Sequence, residues 1–311
     1  MTTLLRQTAF LSEQWQDSAF LITRALGRLV ARLELKQVDI ARGCPLFYYD
    51  NNNNAATNTL VLVHGFNADK DHWIAMALHL SRYRVIIPDL GGHGQSWYDP
   101  ALTYDIPFYA RQLNQLLNAL CIDRFHLLGN SMGGWVAAWY AHAYPSEVKT
   151  LCLMNACGVA SPVLSPFFKA LAQQRNPFFY SSPAEYAELL DMAVANPRAI
   201  PPSIRAVNYR HGLARMVKAR KLFADITNPD QTYLAPTQQV DDLLGQIRQP
   251  ALVLWGDRDG VMDPSMAEVY SRGLPNNEKH ILRNVGHTPM LEQPAQVARC
   301  YKAFLQRHGS E

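Results

Sequence analysis

Near the start of the chain, Leu4, Leu11, Trp15, Ile22, Leu26, Leu29 and Leu33 recur at helical spacing. At about 3.6 residues per turn they share one stripe, so residues 3–36 read as a helix or helix pair. Arg6, Glu13, Asp17, Arg24, Arg28 and Arg32 fall on the other side, which makes the second half a cationic amphipathic helix. Such a helix either covers its own domain or a second subunit with the apolar stripe, or lies on a membrane surface. From residue 37 short apolar runs alternate with helical stretches. "TLVLVHG", "YRVIIPD", "FHLLGN", "VKTLCLMN", "ALVLWGD" and "KHILRNVG" read as strands. This alternation predicts an α/β fold with a mostly parallel central sheet and helices on both faces. "CPLFYYD" and "TLVLVHG" flank Asn51 to Asn54, residues that tolerate left-handed turns, so a hairpin is expected there.

Between Val159 and Gln249 the strand rhythm gives way to proline-punctuated helical stretches such as "SSPAEYAELLDMAVANP". It returns at Pro250. Residues 159–249 therefore read as a helical cap inserted into one core made of residues 37–158 and 250–311. Residues 1–36 form an extra N-terminal helical segment.

Composition narrows the function classes. With 311 residues, 48% of them hydrophobic, the chain can bury a large core, and a net charge of +3 gives no reason to expect nucleic acid as a partner. The five cysteines are odd in number, scattered and without metal-type spacing, which favours reduced thiols packed as small core residues. Arg6, Glu13 and Asp17 interrupt the opening segment before a signal-peptide pattern forms, and no apolar run reaches transmembrane length. The expectation is a cytoplasmic protein, membrane-associated if the amphipathic segment meets lipid.

The candidate chemistry centres on "HLLGNSMGGWVAAWYA". Gly129, Ser131 and Gly133 satisfy G-x-S-x-G between a predicted strand and a predicted helix, the context of a nucleophile elbow. Alone, the pattern also fits a glycine-rich turn. The backbone N–H of Met132 at the helix start can stabilise an oxyanion. In "LVLVHGFNADKDHW", Phe66 can present a second oxyanion N–H, with Gly65 allowing close approach and His64 bracing the loop. In "ALVLWGDRDGVMDP", Asp257, Asp259 or Asp263 can orient a catalytic histidine. Asp259 is favoured, because a residue a few positions beyond the strand can point back to the serine loop, with Asp257 in reserve. "LRNVGHTPMLEQP" places His287 in the loop after the last predicted strand. The order Ser131, Asp259, His287 matches one of the three known triad orders.

Together, "HGFN", "DLGGHGQS", "GNSMGG", "WGDRD" and "GHTPMLEQP" resemble the α/β-hydrolase superfamily, over residues 64 to 294. Within it, "HGFNADKDHW", "GNSMGG", "NPFFYSSPAEY" and "IPPSIRAVNYR" are most similar to family V bacterial lipases and related monoacylglycerol lipases. The resemblance implies an α/β-hydrolase fold and puts Asp259 at the acid position of a G-x-x-D pattern begun by Gly256. It implies hydrolysis of lipid-type esters, such as monoacylglycerols or medium-chain acyl esters, with no metal or organic cofactor. Phe167, Phe168, Phe178, Phe179, Tyr180 and Tyr186 of the cap are candidates for an acyl-chain pocket. A carbon–carbon hydrolase of the ring-cleavage-product type shares "GNSMGG" and the triad. Those enzymes carry tryptophan after the histidine, where this chain has Thr288. A non-catalytic hydrolase-fold protein that binds a small ligand is the third reading.

Overall fold

The computed structural model describes residues 2–41, 43–227 and 239–309, and of residues 2–12 the backbone course. Its strands are β1 (Glu34–Asp39), β2 (Pro45–Asp50), β3 (Thr59–Val63), β4 (Arg84–Pro88), β5 (Phe125–Asn130), β6 (Val148–Met154), β7 (Ala251–Gly256) and β8 (Asn277–Leu282). They form one sheet in the order β1-β2-β4-β3-β5-β6-β7-β8. The pairs from β4 to β8 are parallel, while β1 with β2 and β2 with β4 are antiparallel.

Successive strand residues point to opposite faces, so a strand covered on both sides must be apolar throughout. Leu60, Leu62, Val85, Ile87 and Leu254 face Trp73 and the helix Pro294–His308. Val61, Val63, Ile86, Leu127 and Val253 face the helices Ile106–Ala119 and Met132–Ala143. The expected α/β-hydrolase architecture is therefore present, with its two cores on opposite sides of the sheet.

The hairpin expected between "CPLFYYD" and "TLVLVHG" does not form. β2 pairs with β1 and β4, and β3 lies beyond β4. The cause is Asn51: its side chain accepts from the Val85 N–H at 2.9 Å and donates to the Tyr83 carbonyl at 2.9 Å, which seats the end of β2 against β4. The cysteine expectation needs a similar correction. All five are free thiols, but only Cys152 is buried, and Cys121 is exposed.

The N-terminal helix, α1 (Thr2–Val30), stops short of residue 36. Arg32 adopts a φ of 55°, and the Leu33 N–H bonds to the Arg28 carbonyl at 2.9 Å. This is a Schellman-type stop, after which residues 34–36 enter β1. The side α1 presents to the domain is also the reverse of a covering helix. Trp15, Ile22, Leu26 and Leu29 are 76, 59, 56 and 72% exposed. The polar side docks instead: Arg24 reaches Asp69 at 3.1 Å and Asp71 at 3.0 Å, and Asp17 meets Arg210 at 2.8 Å. Of the rest of the stripe, Leu33 is buried in the turn, and the Leu4 and Leu11 side chains lie outside the described residues.

The cap contributes helices Pro166–Ala172, Pro183–Ala193, Pro202–Ala214 and Met216–Ile226; part of the expected cap, residues 228–238, lies outside the described residues. Ser165 and Ser182 cap the first two by accepting from Phe168 and Glu185 N–H groups.

His64, His93 and His126 are buried in the core domain, and burial lowers each pKa, that of His126 to about 4. The unfolded chain therefore binds protons at these sites that the folded chain refuses. This contribution to stability is complete above about pH 6.5 and is lost as pH falls through the folded values. Thermal melts should show Tm dropping from about pH 7 to about pH 5, with a smaller drop for His126→Gln. An equal drop in the variant would exclude His126 as a source.

Candidate active site

Ser131 sits between β5 and the helix Met132–Ala143 with φ 56° and ψ −122°, a strained conformation for a residue with a side chain. Such strain costs roughly 1–3 kcal/mol and persists only where the surroundings impose it. Here they do. A Cβ on Gly129 would run into the Gly133 carbonyl, and one on Gly133 into the Val63 and His64 carbonyls. The Ser131 N–H is held by the Met154 carbonyl at 3.0 Å, and its own carbonyl accepts from Cys157 at 3.0 Å. The glycines thus let the turn close tightly enough to present the hydroxyl at the carboxyl end of the sheet.

The loops after β7 and β8 meet at the same end. His287 Nδ1 lies 2.8 Å from Asp259 Oδ2. Asp259 Oδ1 accepts from the Val261 and Met262 N–H groups at 2.8 and 2.9 Å, and Oδ2 also accepts from Asn155 Nδ2 at 2.6 Å. A carboxylate so placed can only accept, so His287 carries its proton on Nδ1 and leaves the Nε2 lone pair free. Asp257 and Asp263 are engaged elsewhere: the former faces the Val285 N–H at 3.4 Å, the latter caps Ser265 N–H at 2.9 Å. Among the described residues, Asp259 is the aspartate joined to His287.

The third loop follows β3. His64 is fully buried; its Nε2 accepts from the Leu90 N–H at 3.0 Å, so Nδ1 donates to the Gly65 carbonyl at 2.8 Å. Burial also lowers its pKa, which keeps it a neutral brace. A Cβ on Gly65 would lie 3.1 Å from Ser131 Cβ, which brings the Phe66 peptide beside the serine. This loop is anchored by a buried ion pair. Lys70 Nζ meets Asp89 Oδ2 at 2.6 Å, and Asp89 also accepts from the Lys70 and Gln95 N–H groups at 2.8 and 2.9 Å.

Above Ser131 lies a narrow cavity of about 50 Å³ under the cap. Phe167, Phe168 and Phe178 line it, joined by Phe66, Trp135 and Phe223. The other three candidates fall outside its lining. Phe179 packs edge-on to Phe223 beneath the Arg220 guanidinium, whereas Tyr180 and Tyr186 pack at a tilt against Tyr209. Ser131 and His287 are only 6 and 7% exposed, so the apolar cover is nearly complete.

The sequence profile described as the alpha/beta hydrolase fold matches residues 58–194 and 232–294. The chain belongs to the α/β-hydrolase-fold family. This hydrolase is 31% identical to Lipase 1 of Psychrobacter immobilis over 88% of its own length and 84% of that protein's. It is 28% identical to monoacylglycerol lipase ABHD6 of Mus musculus, over 79% of this chain and 75% of the relative. Among solved structures, a membrane phospholipase A described as a bacterial virulence factor superposes with a TM-score of 0.88 at 31% identity, covering 100% of this chain and 97% of that one.

Two residues of the candidate site escape sequence reading. Asn155, with φ 46°, directly follows β6 and bridges Asp259 to the Gly286 carbonyl, which it meets at 3.2 Å. Asn130 donates to the His287 and Met154 carbonyls, each at 3.1 Å. Their signal is faint: a polar residue closing an otherwise apolar strand. The Lys70–Asp89 pair is similarly silent in the sequence, because the two residues lie on separate loops. Replacing Asp89 with alanine strands the Lys70 charge in the interior and should cost about 3–5 kcal/mol in urea unfolding. A loss below about 1 kcal/mol would mean the pair does not anchor this loop.

Proposed function

We propose that this hydrolase is a serine carboxylic-ester hydrolase of the lipase type, acting on monoacylglycerols and medium-chain acyl esters through an acyl-enzyme on Ser131. The observation that carries the reading is the buried Asp259–His287 couple, 2.8 Å across, at the same sheet end as a serine held in a strained turn. His287 Nε2 takes the Ser131 proton as Oγ attacks the acyl carbonyl carbon, and Asp259 stabilises the resulting imidazolium. The Phe66 and Met132 N–H groups receive the oxyanion, each worth roughly 3 kcal/mol in comparable sites. Collapse expels the alcohol, protonated by His287, and water attacks the acyl-enzyme by the same route in reverse. The aromatic cavity beside Ser131 suits an acyl chain, and among the described residues its lining carries no charged side chain.

Ser131→Ala should lower kcat/KM on p-nitrophenyl butyrate by at least about 10⁴-fold, and Asp259→Asn by a comparable factor with KM little changed. Fluorophosphonate should label Ser131 in the wild type alone. Activity surviving in Ser131→Ala, or faster turnover of a ring-cleavage dienone than of monoacylglycerol, would remove the ester-hydrolase reading.

The outward face of α1 supports peripheral contact with a lipid surface. Between residues 18 and 30 its exposed positions are Ser18, Ala19, Leu21, Ile22, Thr23, Ala25, Leu26, Leu29 and Val30, all uncharged, and Arg32 stands exposed just beyond its end. Among the described residues no helix is long and apolar enough to cross a membrane. An in-plane helix with a cationic end fits this chemistry. α1 also forms one wall of a cavity of about 830 Å³ that reaches Val194 and Thr288, the neighbours of the His287 loop. Wild-type protein should sediment with liposomes containing anionic lipid, and the double variant Ile22→Glu, Leu29→Glu should not, while keeping its rate on p-nitrophenyl butyrate. Equal sedimentation of both proteins sinks the proposal. A dimer that the variant dissociates would instead assign the face to a second copy.

A further inference from the structure

We infer that Glu292 is a positioning residue for His287, and that it makes the alignment of the imidazole depend on the seating of the cap. This rests on the reading of His287 as the general base.

The N–H groups of both neighbours of His287, Gly286 and Thr288, end on one carboxylate. Glu292 Oε2 accepts from the Gly286 N–H at 2.9 Å, and Oε1 accepts from the Thr288 N–H and hydroxyl, each at 3.2 Å. The same Oε2 accepts from the Ala195 N–H at 2.9 Å, in the chain leaving the cap helix Pro183–Ala193. Four neutral donors from two parts of the fold therefore share one anion. A carboxylate suits this task because its two oxygens lie in one plane and offer about four acceptor sites, with hydrogen bonds stronger than those to a neutral amide.

The cap segment it holds is wedged against both catalytic loops. The His287 N–H donates to the Ala193 carbonyl at 2.7 Å, and the Gly260 N–H, next to Asp259, donates to the Met192 carbonyl at 2.9 Å. There is no room to spare. A Cβ on Gly286 would lie 2.8 Å from the Ala195 nitrogen, and one on Gly260 would lie 2.8 Å from the Met192 carbonyl oxygen. Asp259 fixes the ring through Nδ1, while Glu292 fixes the backbone that carries the ring. If the cap segment moves away, Glu292 loses the Ala195 donor and the His287 loop loses its backing.

Glu292→Gln keeps the shape but turns one acceptor oxygen into a donor that faces N–H groups. On p-nitrophenyl butyrate kcat should fall roughly 10- to 100-fold with KM within about twofold, the pattern of a misplaced catalytic group rather than weakened binding. Fluorophosphonate labelling of Ser131 should slow by the same factor, and the downfield proton resonance of His287 Nδ1 should broaden. Thr288→Val, which removes a single donor, should show a smaller loss of the same kind and guards against a Glu292 variant that does not fold. Wild-type kcat and labelling in folded Glu292→Gln, or in Thr288→Val if Glu292→Gln does not fold, overturn the inference. So does a loss that disappears once rates are scaled to folded protein, or a rise in KM alone. Activity retained by Ser131→Ala overturns the underlying reading, and the inference with it.

Discussion

The Asp259 carboxylate is the constraint around which the site is organised. A buried charge must have its hydrogen-bonding capacity met, and this one is met by its own loop, by Asn155 just after β6 and by His287 after β8. Those partners reach it only because β6, β7 and β8 lie side by side and parallel, so that their carboxyl ends face the same way. The sheet order is thus a requirement of one anion's solvation as much as of the hydrophobic core. The Asn155 and Asn130 amides extend the same logic, since each ties a strand end to a carbonyl of the histidine loop.

Around this centre the protein uses polar ties where a compact domain usually relies on apolar packing. α1 docks through Arg24 and Asp17, and Asp69 receives both Arg24 and, at 3.6 Å, Arg215 from the cap. Burial raises the Asp69 carboxyl, but Arg24, His72 and Arg215 more than offset it and hold the group below the usual carboxylate range. Because the docking side of α1 is polar, its apolar side is left facing outward. The same helix therefore contacts the core loop beyond β3 and cap helix Pro202–Ala214 while its apolar positions stay exposed among the described residues.

The glycines of the serine turn show how local sequence and tertiary contact divide the work. Gly129 and Gly133 are readable as the small residues of an elbow, yet what makes them obligatory is the carbonyl of a neighbouring strand, Val63, and the next turn of the helix. The same holds for His64, whose bracing role is legible from its place at a strand end but whose tautomer is decided by Leu90, a residue on another loop.

By itself the sequence determined what depends on periodicity and on order along the chain: the mostly parallel sheet and the succession of serine, aspartate and histidine. Each is a local or one-dimensional property, set by side-chain alternation and by which loop follows which strand. Tertiary structure decided what depends on competition for a partner. Asp259 took His287 while Asp257 and Asp263 took backbone donors, β4 rather than β3 took the slot beside β2, and three of six cap aromatics took the cavity. It also decided which way α1 faces, because helical spacing marks the two sides of a helix without saying which neighbour carries the carboxylates. An apolar stripe is buried only when nothing binds the opposite side better, and here Asp69 and Asp71 bind the arginine of the polar side.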